Sequence, residues 1–551
     1  MHGRRRSGLA RAVREQAIAS QRAPAATTSA RAEAPLEDLL REGINRRQLL
    51  VAGGALAGTL WLGETGASRA AARRGNRSDA RVAVIGAGLA GAAAAYQLHR
   101  VGVHVELYEA RERLGGRCWS ARGFADDQIA EHGGEFIDTR HVHIRQLARR
   151  LGLHLDDLYA AKYGDFSPNL VGDRLLPESQ IQPQMNRIAK AAEAQARRLG
   201  VLRPNGSVTQ DPISYPTATV HARQVDQLSM IEWLDRHVPG VVGTPVGEWL
   251  DQTMCGWYGL NLDQLSALNW IDFFVIPYPG GDERWHVRGG NDQVVHRAVA
   301  ALPASAVHVQ TALRGLRRMR HGYELHFDGH RHVHCDLVIL TLPFTTLREV
   351  DLSDAGLSRH KLAAIHQLAM GFDSKVLVQY DRRPWRMHAW SSFMTSADPD
   401  FDTWESSAME PGHSGLITVY AGGRTGRGWV APTPHGPTPA ALRDAVLGRI
   451  DQALPGSAKH FNGHTWADLW PHDPWTRGSY AAFGPGQYTR FWAGTAHAEG
   501  GIHFAGEATS TYSQGFLNGG VESGYRAAIE VMRRLGVRVP RDIAGLPYSP
   551  A

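Results

Sequence analysis

The hydrophobic pattern changes period repeatedly along the chain, and its clearest change follows residue 80. Residues 82–85 are a short β-branched run, Gly86, Gly88 and Gly91 complete G-x-G-x-x-G, residues 92–100 favour helix, and residues 103–108 return to an extended apolar pattern ending at Glu109. This order predicts strand, glycine turn, helix, strand. Residues 335–342 read as a buried parallel strand, residues 500–510 as a buried strand running into a turn, and residues 519–536 as an amphipathic helix. A further helix is expected over 185–199, and residues 374–380 alternate like a strand while placing Lys375 among apolar neighbours. Strands interspersed with helices predict an α/β fold. At 551 residues the chain exceeds what one core supports, so two domains, interleaved along the sequence, are expected.

The glycines fit a dinucleotide. Gly86 permits the tight turn, Gly88 lets backbone approach a pyrophosphate, and Gly91 lets the helix pack closely on the strand. The helix start offers unpaired N–H groups to phosphate, and Glu109 is placed to accept hydrogen bonds from a ribose.

Charge removes one class of partner. The net charge is +6, but residues 1–80 carry fourteen Arg against seven Asp and Glu, leaving the rest at −1. A nearly neutral body gives no electrostatic footprint for nucleic acid. The three cysteines, Cys118, Cys255 and Cys335, are too scattered for a disulfide framework or a zinc set, and Cys335 reads as a small buried hydrophobe. No metal is expected.

Residues 1–79 read as a disordered leader carrying an export signal. Arg46 and Arg47 precede an apolar run over about 49–62 and an Ala/Ser-rich stretch suited to cleavage. The run is short of the roughly 20 residues that a membrane helix needs, so no stable anchor is expected. The paired arginines resemble a twin-arginine signal, although Asn45 and Leu49 depart from its usual residues. Export to the periplasm or beyond is the expectation, with a cytoplasmic location if the leader is not functional.

The segment ARERLGGRCWS, residues 110–120, continues from Glu109, and FAGE ends at Glu507. With AEHGGEFID (Gly133, Gly134, Glu135), RWHVRGGNDQV (284–294) and WPHDPWTRGSY (470–480), they resemble the flavin-containing amine oxidases of the monoamine and polyamine oxidase type over about residues 80–536. The resemblance implies FAD and a Rossmann-type FAD-binding domain assembled from 80–140, 285–345 and 495–540. A mixed α+β substrate domain would come from 141–284 and 346–494. It assigns Arg117 and Glu507 to the cofactor, Gly133, Gly134 and Glu135 to a turn beside the flavin ring, Val309 to a strand end touching the adenine, and Trp470 to the flavin site. Covalently flavinylated relatives have a cysteine where this chain has Ser479, so FAD is expected to be non-covalent.

The same resemblance implies an aromatic cage of Tyr480 and Phe516 over the flavin, whose ring faces attract a cationic amine. It also aligns Met370, Gly371 and Lys375 with a family segment whose lysine holds a water near the flavin. Taken without that alignment, Lys375 reads as a charge protecting a sheet edge. The activity implied is oxidation of an amine to an imine, hydrolysed to aldehyde or ketone, with oxygen reduced to hydrogen peroxide. Expected partners are a small amine and oxygen, with a homodimer as a further expectation. Two rivals remain: an L-amino-acid oxidase, for which Arg140 is the nearest carboxylate-binding cation, and an oxygen-independent flavin dehydrogenase or desaturase.

Overall fold

A computed structural model of the chain describes residues 80–161, 164, 166–276, 281–387 and 390–548. The leader and its export signal, expected over 1–79, lie outside the described residues. The first strand β1 (Arg81–Ile85), helix α1 (Leu89–Arg100) and strand β2 (His104–Tyr108) follow the predicted order. With β3 (Val307–His308), β4 (Leu337–Leu340) and β5 (Ile502–Phe504) they form a parallel sheet in the order β5-β4-β1-β2-β3. Its strands come from four distant stretches of chain. The central strand β1 is buried from Val82 onward, as a parallel strand covered on both faces must be.

Helix α1 is built largely of alanine, and it packs against α2 (Leu517–Leu535), the predicted C-terminal helix. Small residues make that approach close: a Cβ on Gly524 would lie 2.3 Å from the carbonyl oxygen of Ala90. Both helices begin at the same side of the sheet's glycine turn, with Gly88 and Phe516 as their N-caps. Cys335 is buried as expected, but it ends an antiparallel strand, Arg331–Cys335, and the parallel strand starts two residues later. That antiparallel strand pairs with Tyr323–Phe327, which pairs with Leu313–Arg318.

A second, eight-stranded sheet faces the site. Its strand order is His435–Gly436, Phe461–Asp468, Ser374–Tyr380, Gly415–Ala421, Phe401–Glu405, Met394–Ala397, Asn169–Val171, Arg174–Leu175. Ser374–Tyr380 is a strand over the predicted span, but it is an interior one with all seven residues buried. The reading of Lys375 as an edge charge therefore fails: neighbouring strands cover both sides, so there is no edge to protect. The helix expected over 185–199 extends back to Glu178 and ends at Gly200 in the left-handed region. It packs with Met230–His237, Pro245–Tyr258 and Asn269–Phe274 around Trp233, Trp249 and Trp270. No helix among the described residues is long and apolar enough to cross a membrane.

Candidate active site

The glycine turn opens on a cavity of about 250 Å³ lined by Gly86, Gly88, Glu109, Arg117, Gly506 and Glu507, with others. Gly86 has φ +101, and a Cβ at Gly91 would lie 1.8 Å from the Gly86 carbonyl oxygen, so neither position accepts a side chain. Glu109 accepts from the N–H groups of Ala87 at 2.8 Å and Arg111 at 2.9 Å. A carboxylate has about four acceptor positions, so two stay available to ribose hydroxyls. Thr341, which the sequence did not single out, ties the turn to β4: its hydroxyl donates to the carbonyls of Ile85 at 2.8 Å and Gly86 at 3.1 Å. Val309 is not brought to this cavity. Its strand ends at His308, Val309 is 40% exposed, and Thr311 and Leu313 supply the wall instead. A glycine-built cradle, two helix N-termini and an acid at the end of β2 fit FAD's pyrophosphate and ribose.

Arg117 and Glu507, separated by 390 residues, form an ion pair at 3.0 Å, and Arg117 also donates to the Ser479 carbonyl. Glu507 accepts in addition from the N–H groups of Ala481 at 3.2 Å and Gly515 at 3.1 Å. These bonds join the first cofactor segment to the last and hold Ser479 to Phe516 around them.

Beyond this junction lies a second cavity of about 260 Å³. Arg117, Gly134, Ser479, Tyr480, Gly515, Phe516 and Leu517 line both, so the two meet along one shared wall. Gly133, Gly134, Glu135, Lys375, Trp470, Tyr480 and Phe516 all line the second cavity. A Cβ on Gly133 would lie 1.9 Å from the Arg117 carbonyl oxygen, which fixes that turn against the cofactor segment. Trp470 is buried and donates its indole N–H to the His132 carbonyl at 2.9 Å. Among the described residues no ring contact joins Tyr480 to Phe516; the Phe516 ring instead meets His141 at 5.1 Å. Both cage candidates line the cavity.

Lys375 is buried, and its ammonium donates to the Glu131 carbonyl at 3.1 Å, the Gly133 carbonyl at 2.7 Å and Glu135 Oε2 at 2.9 Å. An ammonium has three donors, so protein acceptors engage all of them. Lys375 thus fastens the 133–135 turn, and the Trp404 ring lies 5.3 Å from its nitrogen. Asn291 secures the same turn from the other side, donating to the Glu135 carbonyl at 2.8 Å.

The floor of this cavity is part of a row of polar residues in register across seven strands, five of which contribute to the floor. His435 faces Asp468, Asp468 faces Lys375, Lys375 faces Tyr420, Tyr420 faces Asp402, Asp402 faces Thr395 and Thr395 faces Asn169. Side chains of directly opposed residues share one face of a sheet, and Lys375, Tyr420, Asp402, Thr395 and Asn169 all line the cavity. The Tyr420 hydroxyl donates to the Tyr480 hydroxyl at 3.1 Å, which donates to the Gly256 carbonyl at 3.2 Å.

Two buried acids were missed from the sequence. Burial pushes Asp373 up to about 7 despite the Ser479 hydroxyl, which donates to its Oδ2 at 2.5 Å. Burial likewise pushes Asp402 up to about 7, against a bond from Gln252 at 3.2 Å. Burial and the neighbouring Asp373 hold Tyr480 well above the ordinary tyrosine range. Asp373 had a signal: it stands two residues before Lys375, on the same side in strand alternation. Asp402 had none, because only strand pairing brings it beside Tyr420. Arg140 does not line the cavity; it donates to the Tyr512 carbonyl at 2.8 Å.

The family model for flavin containing amine oxidoreductase matches residues 89–532. The chain is 25% identical to amine oxidase [flavin-containing] A of Sus scrofa, over 84% of this chain and 86% of that one. Among solved structures, cyclohexylamine oxidase from Brevibacterium oxydans superposes with TM-score 0.71 at 22% identity, covering 83% of this chain and all of its own. Wild-type putrescine oxidase bound to putrescine gives TM-score 0.67, also at 22% identity, over 83% of this chain and 99% of its own. At that identity the two structures establish the fold.

Proposed function

Because the chain belongs to the flavin-containing amine oxidoreductase family, we propose that it oxidises a small cationic amine to an imine with non-covalently held FAD, oxygen being the final acceptor. The observation that carries this reading is the shared wall of the two cavities: the residues that close the nucleotide cradle, Arg117, Ser479, Tyr480 and Phe516, also line a chamber furnished with carboxylates. Bound FAD supplies the redox chemistry, taking two electrons from the carbon beside the amine nitrogen and passing them to oxygen to give hydrogen peroxide, while water converts the imine to aldehyde or ketone.

The chain's own groups bind and orient. Among the described residues, Glu135, Glu283, Asp373 and Asp402 line the chamber, against two cations, Lys375 and Arg117. Each of these cations is paired, with Glu135 and Glu507. Carboxylates and aromatic faces attract an ammonium, and neither cation is left over for a substrate carboxylate. This balance, with Arg140 turned to Tyr512, favours an amine over an L-amino acid. Asp373 and Asp402, held near neutrality, are the groups able to take a proton from the ammonium before its carbon is oxidised. The Ser479 hydroxyl, bonded to Asp373, offers no thioether to a flavin. Export through the leader and homodimerisation complete the proposal.

Anaerobic reduction of the purified protein with tyramine, putrescine and a panel of L-amino acids, followed by readmission of air, tests substrate class and acceptor together. Bleaching by an amine and return of colour with peroxide support the proposal; bleaching only by amino acids overturns the substrate class, and colour that does not return overturns oxygen as acceptor. Acid precipitation should leave the yellow colour in the supernatant.

A further inference from the structure

The small antiparallel sheet that flanks the nucleotide cavity carries an unassigned constellation. In Tyr323–Phe327 the side chains of Tyr323, Leu325 and Phe327 are buried, so Glu324 and His326 face outward. The partner strand Arg331–Cys335 pairs in register, setting His334 opposite Glu324 and His332 opposite His326. Strand alternation therefore gathers three imidazoles and one carboxylate on a single outer face.

The separations are those of a metal site rather than of a dispersed polar surface. Glu324 lies at the centre: its Oε2 is 2.8 Å from His326 Nε2, and its Oε1 is 3.6 Å from His334 Nε2 and 3.8 Å from His332 Nδ1. Potential ligand atoms of Glu324, His326 and His332 all fall within 4.8 Å of one another. Ligand atoms around a tetrahedral zinc, bound at about 2.0–2.2 Å, stand roughly 3.3–3.5 Å apart. Glu324, His326 and His332 reach that spacing by closing up by as much as about 1.4 Å, and His334, which approaches Glu324 alone, turns about its own side-chain bonds to complete the set.

Chemistry and burial agree with this. Three imidazoles and a carboxylate are a ligand set suited to Zn²⁺, with a single negative charge partly neutralising the ion. Glu324 is the least exposed of the four, at 17% of its side chain, against 32% for His326, 50% for His332 and 57% for His334. The carboxylate thus forms the floor and the imidazoles the rim. The neighbouring strand Leu313–Arg318 sends Leu313 and Arg314 to the wall of the nucleotide cavity, and Phe327 stacks on Tyr108 of β2 at 4.6 Å.

From this geometry we infer that Glu324, His326, His332 and His334 form a surface Zn²⁺ site that staples Tyr323–Phe327 to Arg331–Cys335 and so stiffens the sheet behind the nucleotide end of the active site. The ion is structural in this assignment: none of the four side chains lines either cavity, and the site supplies no group to the reaction.

The test uses the full chain without a polyhistidine tag, dialysed against chelator and then titrated with Zn²⁺ in a calorimeter, with Mg²⁺ as control. One saturable equivalent of Zn²⁺, no Mg²⁺ binding and a melting-temperature rise that levels off at one equivalent are expected. His332→Ala/His334→Ala should weaken that binding by more than the ~10–100-fold that loss of a supporting partner costs, and Glu324→Gln should do the same. Both histidines are exposed, so the double variant keeps its fold, checked by unchanged flavin content. Absence of a saturable equivalent overturns the assignment. So does undiminished Zn²⁺ binding in the double variant, which would place the ion among other histidines of the 27 in the chain.

Discussion

Replacing Lys375 by methionine tests whether this lysine is an anchor of the flavin-side turn. The substitution keeps an unbranched side chain but removes three hydrogen bonds, to Glu131, Gly133 and Glu135. Glu135 is only 8% exposed, and its pairing partner lies at 2.9 Å. Breaking a buried pair by deleting one member costs about 3–5 kcal/mol, mostly through the stranded charge. Glu135→Gln alone leaves both carbonyl bonds in place and keeps an amide oxygen facing the ammonium, so it should cost about 1–3 kcal/mol. The informative variant is the double one. If the cost of Lys375→Met lies in the stranded carboxylate, adding Glu135→Gln should restore about 2 kcal/mol, which together with the cost of Glu135→Gln alone is a coupling of about 3–5 kcal/mol, at or above the upper end of the range for contacting residues. Equilibrium urea unfolding at pH 8, followed by tryptophan fluorescence with refolding checked on dilution, measures all four corners of the cycle. A double variant no more stable than Lys375→Met would refute the reasoning, because the stranded charge would then carry none of the cost.

Other expectations follow from the same geometry. Lys375→Met that still binds FAD should slow reoxidation by oxygen at least tenfold in stopped-flow absorbance; an unchanged rate removes the lysine from that step. Asp373 and Asp402, raised to about 7, ionise as pH rises through neutrality, so the KM for a cationic amine should fall between pH 6 and 8, and Asp402→Asn should flatten that profile. Lys361 is fully buried, donates to the Thr495 carbonyl at 2.7 Å, and is lowered by burial to about 7. Between about pH 7 and 8, below the range where the buried cysteines ionise in the unfolded chain, the unfolded chain binds a proton at Lys361 that the folded one does not, so Lys361 should make stability rise with pH by on the order of 1.4 kcal/mol per unit, a contribution that Lys361→Met should remove. Gly91→Ala forces a Cβ to 1.8 Å from the Gly86 carbonyl oxygen and should yield protein purified without flavin absorbance.

The cofactor half was legible because its constraints are local. Gly86, Gly88, Gly91 and Glu109 lie within one strand-turn-helix-strand unit, where a positive φ, a close helix approach and an acid at a strand end each demand a residue type at a fixed spacing. Val309 failed for the complementary reason. The resemblance places it at a strand end without fixing where that strand stops, and here the strand stops one residue earlier. Lys375 was found by its alignment with a family segment, but its surroundings were not: an alternating pattern says nothing about whether a strand is at the edge or in the interior, and the pairing on both sides decided that.

The sequence by itself marked the first glycine turn as a nucleotide cradle from its spacing, and through short segments shared with the family it grouped Glu507, the C-terminal helix, Tyr480, Phe516 and Lys375 with that turn. Those follow from patterns carried within short segments. Only the tertiary structure decided the chamber's chemistry, because its floor is a row drawn from five strands whose register no single segment encodes. Asp402 and Tyr420 are 18 residues apart in the chain and directly opposed in the sheet. Burial then raises Asp402 to about 7, since the cost of desolvating a charge depends on what surrounds it and not on its neighbours in sequence.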